Sequence, residues 1–575
     1  MILSPLLRIA SLWLLASSCA IAAVPAHYIV FERDAQGRAE PVFYTQVQLS
    51  DGQRDRQGAR QAERGVERVA YRASRNGAKS AELYEAQVPN FIRAEFARDP
   101  EHGDGAIQLN PLVRDPRRAF VVRVPMAEAD EIELLGPAGN SKSVQRIDLR
   151  ELAIRSSQLP LAQMLQQPVA MVGTQQAQDA KAANSANRLD ILVLGDGYTA
   201  AEQSTFTSQA ASLKTAMFNV SPYKEYLSFV NWQAGFIASQ QSGADHPPYQ
   251  AGCTGTSCCA DADSRADPRA GQFVATALDS TFCTSQIHRL LTARSSKVMA
   301  AAASFPNWDK IIVTVNDPVY GGAGGSYAVI SAHSSAALIA IHEFGHSFHG
   351  LADEYESPYP GFPACSDISG SAACEANVTN QSNASLVKWR SWFTPGLPIP
   401  TPDGTAGTGL FEGARYRSTG MFRPVDNSCL MRSLGTSFCA VCRQEYVRML
   451  YRGGFGSPVA GIDLIEPGTE IPSPATAVGY ARGTTRRFSA TLLRPSVGTV
   501  AAQWYLDGVA ISGATAASYD FRQDAATPAT RTLELRVTDK TAFVKASMAG
   551  NLLLHTRKWT IRVGAAPVTT LARVD

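Results

Sequence analysis

The stretch "IHEFGHSFHGLADEYE", residues 341–356, carries two histidines four residues apart, a glutamate beside the first, and a run of acidic residues after a glycine. Side chains four residues apart on an α-helix lie on one face, so the imidazoles of His342 and His346 can meet one zinc ion. Glu343 lies one step round the helix, where a carboxylate can accept a proton from water at that ion. The pattern therefore predicts His342 and His346 as metal ligands and Glu343 as the catalytic base.

A catalytic zinc needs a third protein ligand and an open position for water. His349 lies two turns beyond His342, roughly 10 Å along the helix axis, which is too far for one ion to reach both. Gly350 permits a left-handed turn out of the helix, after which the chain can fold an acidic residue back towards the histidines. Geometry favours Asp353 as the third ligand, with Glu354 as the alternative, and we expect a structural role for His349.

The length and charge of the chain limit its architecture and its partners. A chain of 575 residues suggests about three or four domains. The net charge of +2 gives no reason to expect a nucleic acid or a membrane surface as partner. No segment after the N-terminal one is long and apolar enough to span a bilayer. Nothing in the sequence indicates the oligomeric state.

The N-terminal segment predicts export. Residues 1–23 contain one arginine, an apolar run and small residues near the end, which is typical of a secretory signal peptide. Lipid anchoring at Cys19 is a minor alternative. We therefore expect an extracellular or periplasmic protein, in which disulfides are the default state of cysteine pairs.

The remaining nine cysteines fall into three groups. Cys365 and Cys374 are close enough in sequence to close one loop. The second group is Cys253, Cys258, Cys259 and Cys283. The third group is Cys429, which can pair with Cys439 or Cys442. The Cys-x-x-Cys pair of this third group stands alone, so we expect a structural disulfide there rather than a redox or zinc motif. The odd count leaves one thiol unassigned.

Periodicity divides the chain into regions. Alternating apolar and polar residues predict a β-rich N-terminal domain over residues 24–172, followed by a small, polar linker at 173–188. Strands then alternate with helices over 189–455, which predicts an α/β catalytic domain. One of its helices opens with a capping box at Thr199 and Glu202, and another is predicted around residues 285–303. Short strands and a Trp504 ahead of a turn predict an immunoglobulin-like β-sandwich over 456–575.

The placement of glycine and acid after the histidines resembles metzincins, with one extra residue before the glycine, and Met431 lies in a stretch that resembles the methionine turn of that group. More specifically, the chain resembles the bacterial zinc metallopeptidases named after the IgA peptidase. The resemblance covers most of residues 189–455 and rests on "LVLGDGYT" at 192–199, "VNDPVYGGAGG" at 315–325, "HEFGHSFHGLADEY" at 342–355, "FEGARYRSTGMFRP" at 411–424, and "SCLM" with "FCAVC" within 428–442.

This resemblance implies a metzincin-like fold with a β-sandwich domain ahead of it, a bound Zn²⁺, and peptide hydrolysis. By position, His342 and His346 are implied as metal ligands, Glu343 as the base and Asp353 as the third ligand. The preference of a particular family member for IgA does not transfer.

The sequence as a whole predicts a secreted zinc-dependent endopeptidase that hydrolyses protein or peptide substrates with a zinc-activated water. Two alternatives stay open: an adhesin or glycan-binding protein with an inactive zincin fold, and a zinc amidase acting on cell-wall material. The residue that stabilises the oxyanion is not identified; Tyr320, Tyr355 and Tyr416 are candidates. The glycine-rich stretch 321–325 is expected to line the cleft and to accept the substrate as an added strand.

Overall fold

The computed structural model shows a multidomain chain of mixed α/β character. The predicted signal peptide up to residue 22 and residues 173–186 of the predicted linker lie outside the described residues. The structure describes residues 23–33, 38–50, 66–80, 84–89, 91–93, 96–97, 107–108, 112–114, 118–135, 143–167, 169–172, 187–325, 327–358, 362–369, 373–453 and 461–564.

The N-terminal region is built from β-strands, as the alternating pattern predicted. A three-stranded sheet has the order β10-β1-β2, and a second sheet has the order β12-β11-β3-β4 with β5 beside β3. Both sheets contribute side chains to one core, including Phe31 and Phe120 from the first and Tyr71 and Ile132 from the second. The elements are β1 Val24–Arg33, β2 Ala39–Leu49, β3 Val66–Arg75, β4 Ala78–Lys79, β5 Tyr84–Pro89, β6 Phe91–Arg93, β7 Phe96–Ala97, β8 Ile107–Gln108, β9 Leu112–Arg114, β10 Ala119–Pro125, β11 Glu131–Leu135, β12 Ser143–Asp148 and the helix α1 Leu149–Ile154.

The central region contains a six-stranded sheet of order β13-β15-β14-β16-β18-β17. The four inner strands are parallel, and both edge strands run antiparallel to their neighbours. The strands are β13 Ala170–Val172, β14 Leu189–Asp196, β15 Val230–Phe236, β16 Lys310–Val315, β17 Gly322–Ala323 and β18 Ala328–Ser331, and the helices of this region are α2 Gln203–Met217, α3 Ser295–Ala302, α4 Ala336–Ser347 and α5 Ala440–Arg452.

The central sheet is covered on both faces. Successive residues of a strand point to opposite faces, so β14 sends Ile191 and Val193 into the core that also holds residues of α2 and α4. Leu192 and Leu194 enter a second core, which contains α3 and the outer face of β1 and β2. The N-terminal sheet thereby packs against the central region, and the Tyr28 hydroxyl donates to the Met299 carbonyl at 2.8 Å. The first of these two cores holds helix α4, which carries the histidines, against the sheet.

Two sequence predictions for this region need correction. Residues 170–172, assigned to the N-terminal domain, add an antiparallel strand to the central sheet. The helix predicted around residues 285–303 begins only at Ser295. The preceding residues are held in extended bridges instead, with Thr281 paired to Thr292. The disulfide of Cys283 with Cys259 ties the same segment to a neighbouring loop.

After β18 the chain forms the hairpin β19 Phe411–Ala414 with β20 Arg417–Arg423. The C-terminal region contains one sheet of order β21-β27-β26-β23-β24 and a pair β22-β25. Both share a core in which the rings of Trp504 and Trp559 stack with centroids 5.4 Å apart. The elements are β21 Val478–Ala481, β22 Thr485–Ser489, β23 Val500–Leu506, β24 Val509–Ala510, β25 Ser518–Arg522, β26 Thr530–Asp539, α6 Ala546–Ala549 and β27 Leu554–Gly564.

Three disulfides are closed in the described residues: Cys253–Cys258, Cys259–Cys283 and Cys365–Cys374. The predicted pairing of Cys365 with Cys374 is confirmed. The predicted disulfide in the group of Cys429, Cys439 and Cys442 is wrong, because none of these three is bonded to another. Across the same described part of the chain, we find no helix with the length and apolar character needed to cross a bilayer.

Candidate metal centre

Helix α4 presents both predicted histidines from one face. Its N-terminal half, residues 336–341, is apolar, and its side chains enter the core beneath the sheet. His342 and His346 follow one turn apart, and they are 1% and 3% exposed. Their Nε2 atoms lie 3.1 Å from each other. The helix therefore directs two imidazoles at one point.

The third side chain at this point is Asp353. Its Oδ1 lies 3.3 Å from the Nε2 of His342 and 3.3 Å from the Nε2 of His346. We call these three residues the histidine centre. Glu354, the alternative ligand in the sequence prediction, points elsewhere. The structure thus brings together the three side chains that the sequence predicted as metal ligands.

Hydrogen bonds on the far side of each ring orient the histidines. His342 Nδ1 lies 3.0 Å from the Leu430 carbonyl, and His346 Nδ1 lies 2.7 Å from the Leu351 carbonyl. A carbonyl oxygen only accepts, so each Nδ1 carries the proton and donates it. Each Nε2 then presents a lone pair to the centre, which is the tautomer required of a metal ligand.

The donor spacing fits a small tetrahedral ion. Ligands at about 2.0–2.1 Å from a tetrahedral zinc lie about 3.3 Å from one another. The three separations in the histidine centre are 3.1, 3.3 and 3.3 Å. Two lone pairs and a carboxylate held this close repel one another unless a cation lies between them. The residues present therefore fit a bound zinc.

A turn and a tyrosine place Asp353. Gly350 has a φ of +67°, so the predicted left-handed exit from the helix is confirmed. The chain then folds back, and the Tyr416 hydroxyl donates to Asp353 Oδ2 at 2.9 Å. Tyr416 and Arg415 occupy the hairpin turn between β19 and β20 with φ values of +59° and +53°. This bond uses one carboxylate oxygen and leaves the other directed at the histidines.

The charge environment keeps Asp353 ionised. Burial acts to raise the pKa of its carboxyl group, but in the metal-free protein the proton-bearing imidazoles of His346 and His342 outweigh burial and hold that pKa well below its usual range, and a bound cation takes their place. An anionic carboxylate is the form that binds a metal.

Glu343 lies against the glycine-rich stretch. A Cβ added at Gly324 would lie 1.5 Å from Glu343 Oε2, so the carboxylate packs directly on a glycine backbone. Glu343 is 1% exposed, beside His342 on the same helix. Only glycine leaves room for the carboxylate in this position. Sequence reasoning noted the glycine stretch without relating it to Glu343.

Met431, from the stretch that resembles a methionine turn, packs against helix α4. A Cβ added at Gly345 would lie 2.7 Å from Met431 Sδ. Gly345 directly precedes His346, so the thioether contacts the helix next to one of the histidines. The amide of Glu354 donates to the Met431 carbonyl at 2.9 Å, which ties this turn to the segment that carries Asp353.

The remaining predicted residues have structural contacts. His349 Nε2 lies 2.9 Å from the Tyr223 hydroxyl, away from the centre, and burial lowers its pKa well below the usual range. Asp196, at the end of β14, accepts hydrogen bonds from the amides of Leu278 and Ser280 in a segment distant in the sequence. The Tyr320 ring packs against another ring, that of a surface histidine.

The edge of the central sheet is less open than the sequence suggested. Gly322 of β17 pairs with β18 on one side. On the other side its amide donates to the Arg289 carbonyl and its carbonyl accepts from the Leu291 amide, at 3.1 and 3.3 Å. Segment 289–291 therefore occupies part of the edge to which a substrate strand was expected to add.

Comparisons with known proteins bear on the same region. Residues 178–406 match the sequence profile of the family described as IgA Peptidase M64. No curated protein matches the chain. A solved quinonprotein alcohol dehydrogenase-like protein from Bacteroides thetaiotaomicron VPI-5482 is 16% identical, with a TM-score of 0.13, over 17% of this chain and 19% of that chain, and this likeness carries no argument about fold or function.

The matched range contains helix α4 and all of the histidine centre, and it ends before Tyr416 and the cysteines near the C-terminal end of the catalytic region. Residues 178–406 of this chain are thus similar to the IgA-peptidase-type metallopeptidase family.

Proposed function

We propose that this protein is an exported, zinc-dependent endopeptidase whose zinc is held by His342, His346 and Asp353, with Glu343 as the general base. The observation that carries the proposal is the convergence of two Nε2 atoms and one carboxylate oxygen at separations of 3.1–3.3 Å. The family match supports a peptidase. The donor set, two imidazoles and a carboxylate, is of the kind that catalytic zinc sites use.

Three protein ligands leave one position for water or substrate. When bound, zinc lowers the pKa of water and polarises the scissile carbonyl. Asp353 adds a negative charge to two neutral imidazoles, so the protein ligands supply one unit of charge in total. The hydrogen bonds of His342 and His346 to backbone carbonyls fix the rings and raise their basicity as ligands.

Glu343 performs the proton transfers in this proposal. It lies next to His342 on the helix and is held against Gly324, so its carboxylate has one position beside the centre. It accepts a proton from the attacking water and then delivers that proton to the leaving amine. The attack forms the new C–O bond. The scissile C–N bond then breaks and gives a carboxylic acid and an amine.

Export is supported by two independent features. Residues 1–23 have the pattern of a signal peptide. The three closed disulfides are compatible with an oxidising compartment. The substrates are therefore expected to be extracellular or periplasmic proteins or peptides.

The test compares the native protein with Glu343→Gln. Each is incubated with a digested proteome and with cell-wall fragments, and the products are identified by mass spectrometry, while bound metal is measured separately. We expect cleaved peptide bonds with the native protein, a loss of about 10²–10⁴-fold in rate for Glu343→Gln, and unchanged metal content. Glu40→Gln, at an exposed residue of β2, is the matched control.

Two results would contradict the proposal. Native protein that binds zinc but cleaves only cell-wall amides would replace the endopeptidase with the amidase. Native protein that binds no metal and cleaves neither substrate would favour the adhesin.

A further inference from the structure

A second cluster of metal-binding side chains lies next to the histidine centre. The Sγ of Cys442 lies 3.6 Å from the Sγ of Cys429 and 3.5 Å from the Sγ of Cys439. It also lies 3.5 Å from Oε1 of Glu354. The four ligand atoms are all within 4.8 Å of one another, and all four residues are buried. We call Glu354, Cys429, Cys439 and Cys442 the cysteine cluster.

Disulfide bonding does not account for this arrangement. The three sulfurs surround a common point, and the structure leaves all of them unbonded while it closes three other pairs. Any disulfide within the cluster would leave one thiol and the Glu354 carboxylate buried together. Glu354 is 0% exposed, and among the described residues its Oε2 has no hydrogen-bond partner. A buried carboxylate that has one oxygen without a partner is costly.

We propose that the cysteine cluster binds a second metal ion, a structural zinc, through three thiolates and the Glu354 carboxylate. Zinc bonds of about 2.3 Å to sulfur and about 2.0 Å to oxygen place tetrahedral ligands about 3.8 Å apart for two sulfurs and about 3.5 Å apart for sulfur and oxygen. The observed separations are 3.5–3.6 Å and 3.5 Å. Thiolate donors favour zinc over magnesium or calcium. Four protein ligands leave no open position, which is typical of a structural site.

Hydrogen-bond donors lie around Cys439 and Glu354. Cys439 is the N-cap of helix α5, where the partial positive charge of the helix lies. The backbone amides of Val441 and Cys442 donate to its sulfur. On the opposite side, Asn377 Nδ2 donates to Glu354 Oε1 at 2.8 Å. These donors stabilise the Cys439 thiolate and the Glu354 carboxylate that remain after the ligands release their protons to bind the metal.

The position of the cluster gives the ion a role in assembling the histidine centre. Glu354 directly follows Asp353, and Cys429 directly precedes Leu430, whose carbonyl accepts from His342. An ion between Glu354 and Cys429 would therefore fix both the segment that supplies the third ligand and the turn that orients the first histidine. The four side chains are positioning residues for the proposed peptidase site.

The test uses the full-length native protein, purified without reductant. Metal content is measured by elemental analysis, and thiols are alkylated before and after treatment with a chelator, then mapped by mass spectrometry. We expect two zinc ions per chain, with Cys429, Cys439 and Cys442 protected until the chelator is added. A disulfide joining any two of these cysteines, or thiols that react fully without the chelator, would overturn the proposal.

Variants separate this proposal from the proposed function. His346→Ala removes a ligand of the histidine centre. This variant is expected to retain one zinc ion, and its three cluster thiols should stay protected from alkylation until the chelator is added. Reloading it with Co²⁺ should give the near-ultraviolet absorption of thiolate-to-cobalt charge transfer. If His346→Ala retains no metal, the cysteine cluster is not a metal site, whatever the activity of the native protein. If native protein cleaves no peptide while the protected thiols and one bound zinc persist, the proposed function fails and the cluster stands.

Discussion

Asp353 and Glu354 are neighbours in the chain, yet their carboxylates belong to two different clusters. Asp353 Oδ1 lies 3.3 Å from the Nε2 atoms of both histidines, while Glu354 Oε1 lies 3.5 Å from Cys442 Sγ. The segment after Gly350 is held by two neighbours, since the Arg415 amide donates to the Asp353 carbonyl at 3.1 Å and the Glu354 amide donates to the Met431 carbonyl at 2.9 Å. The sequence alone favoured Asp353 as the third ligand of one ion and left Glu354 as the alternative.

Asp353→Ala is expected to abolish zinc binding at the histidine centre. The substitution removes one of three protein ligands and leaves two imidazoles that bind an ion weakly. The bound metal per chain, measured by elemental analysis after dialysis, should fall by one ion, with peptide cleavage lost. Asp263→Ala, at an exposed loop residue, is the control. Retention of the full metal content in Asp353→Ala would show that Asp353 is not a ligand.

Tyr416→Phe is expected to weaken zinc binding without eliminating it. The phenol donates to Asp353 Oδ2 at 2.9 Å and so orients the ligand oxygen Oδ1. Loss of such an outer contact costs about 10–100-fold in metal affinity. Competition with a chelator of known affinity measures the change, and Tyr519→Phe in the C-terminal region serves as the control. An unchanged affinity would mean that the hydrogen bond does not orient Asp353.

Gly324→Ala is expected to displace the catalytic base. The new Cβ would lie 1.5 Å from the present position of Glu343 Oε2, so the carboxylate must move. We expect the rate of peptide cleavage to fall by about 10²-fold or more while zinc remains bound, since general-base catalysis contributes about 10²–10⁴-fold. Gly255→Ala is a matched control, because no atom lies within 4 Å of the added Cβ there. Full activity in Gly324→Ala would remove Glu343 from the mechanism.

The ion pairs of His246, which lies away from both clusters, are expected to make the stability of the fold depend on pH. Its Nδ1 lies 2.7 Å from Asp267 and its Nε2 lies 3.0 Å from Asp317. Burial acts to lower the pKa of His246, but the two carboxylates outweigh burial and raise it above 6.5, while the pKa of Asp267 is lowered. The stabilisation is therefore complete below pH 6.5 and is lost as the pH rises through the folded-state pKa of the imidazole.

His246→Asn tests this account. Removing the imidazolium takes one partner from each carboxylate, while Arg269 still contacts Asp317 and His288 still contacts Asp267, so the expected cost is about 1–3 kcal/mol. The decrease in the thermal unfolding midpoint should be larger at about pH 5.5 than at about pH 9. His333→Asn, at a partly exposed histidine, controls for the substitution type. An equal decrease at both pH values would show that His246 is neutral in the folded protein.

Local rules predicted much of the fold and of the histidine centre. The helix of residues 336–347, the capping box at Thr199 and the left-handed Gly350 all follow from short-range geometry and are confirmed. The start of helix α3 was wrong because tertiary bridges and a disulfide override helix propensity over residues 281–292. Strand β13 was assigned to the wrong region because sequence periodicity does not reveal which sheet a strand joins.

The cysteine cluster shows the main limit of sequence reasoning here. Export made disulfides the default state, and the Cys-x-x-Cys pair lacked a second pair of the kind that marks zinc sites. Glu354 lies far away in the sequence and was considered only as the alternative third ligand of the histidine centre. Two signals were available: the odd number of cysteines after Cys19 and the second acid next to Asp353.

In the proposed site, one zinc ion lies between two histidines and Asp353. The most direct measurement is a crystal structure of the native protein with anomalous diffraction data collected at the zinc edge. We predict a peak about 2.0–2.1 Å from the Nε2 atoms of His342 and His346 and bonded to the Asp353 carboxylate. Ordered density for all three side chains with no anomalous peak between them, in protein supplied with zinc, would contradict the account.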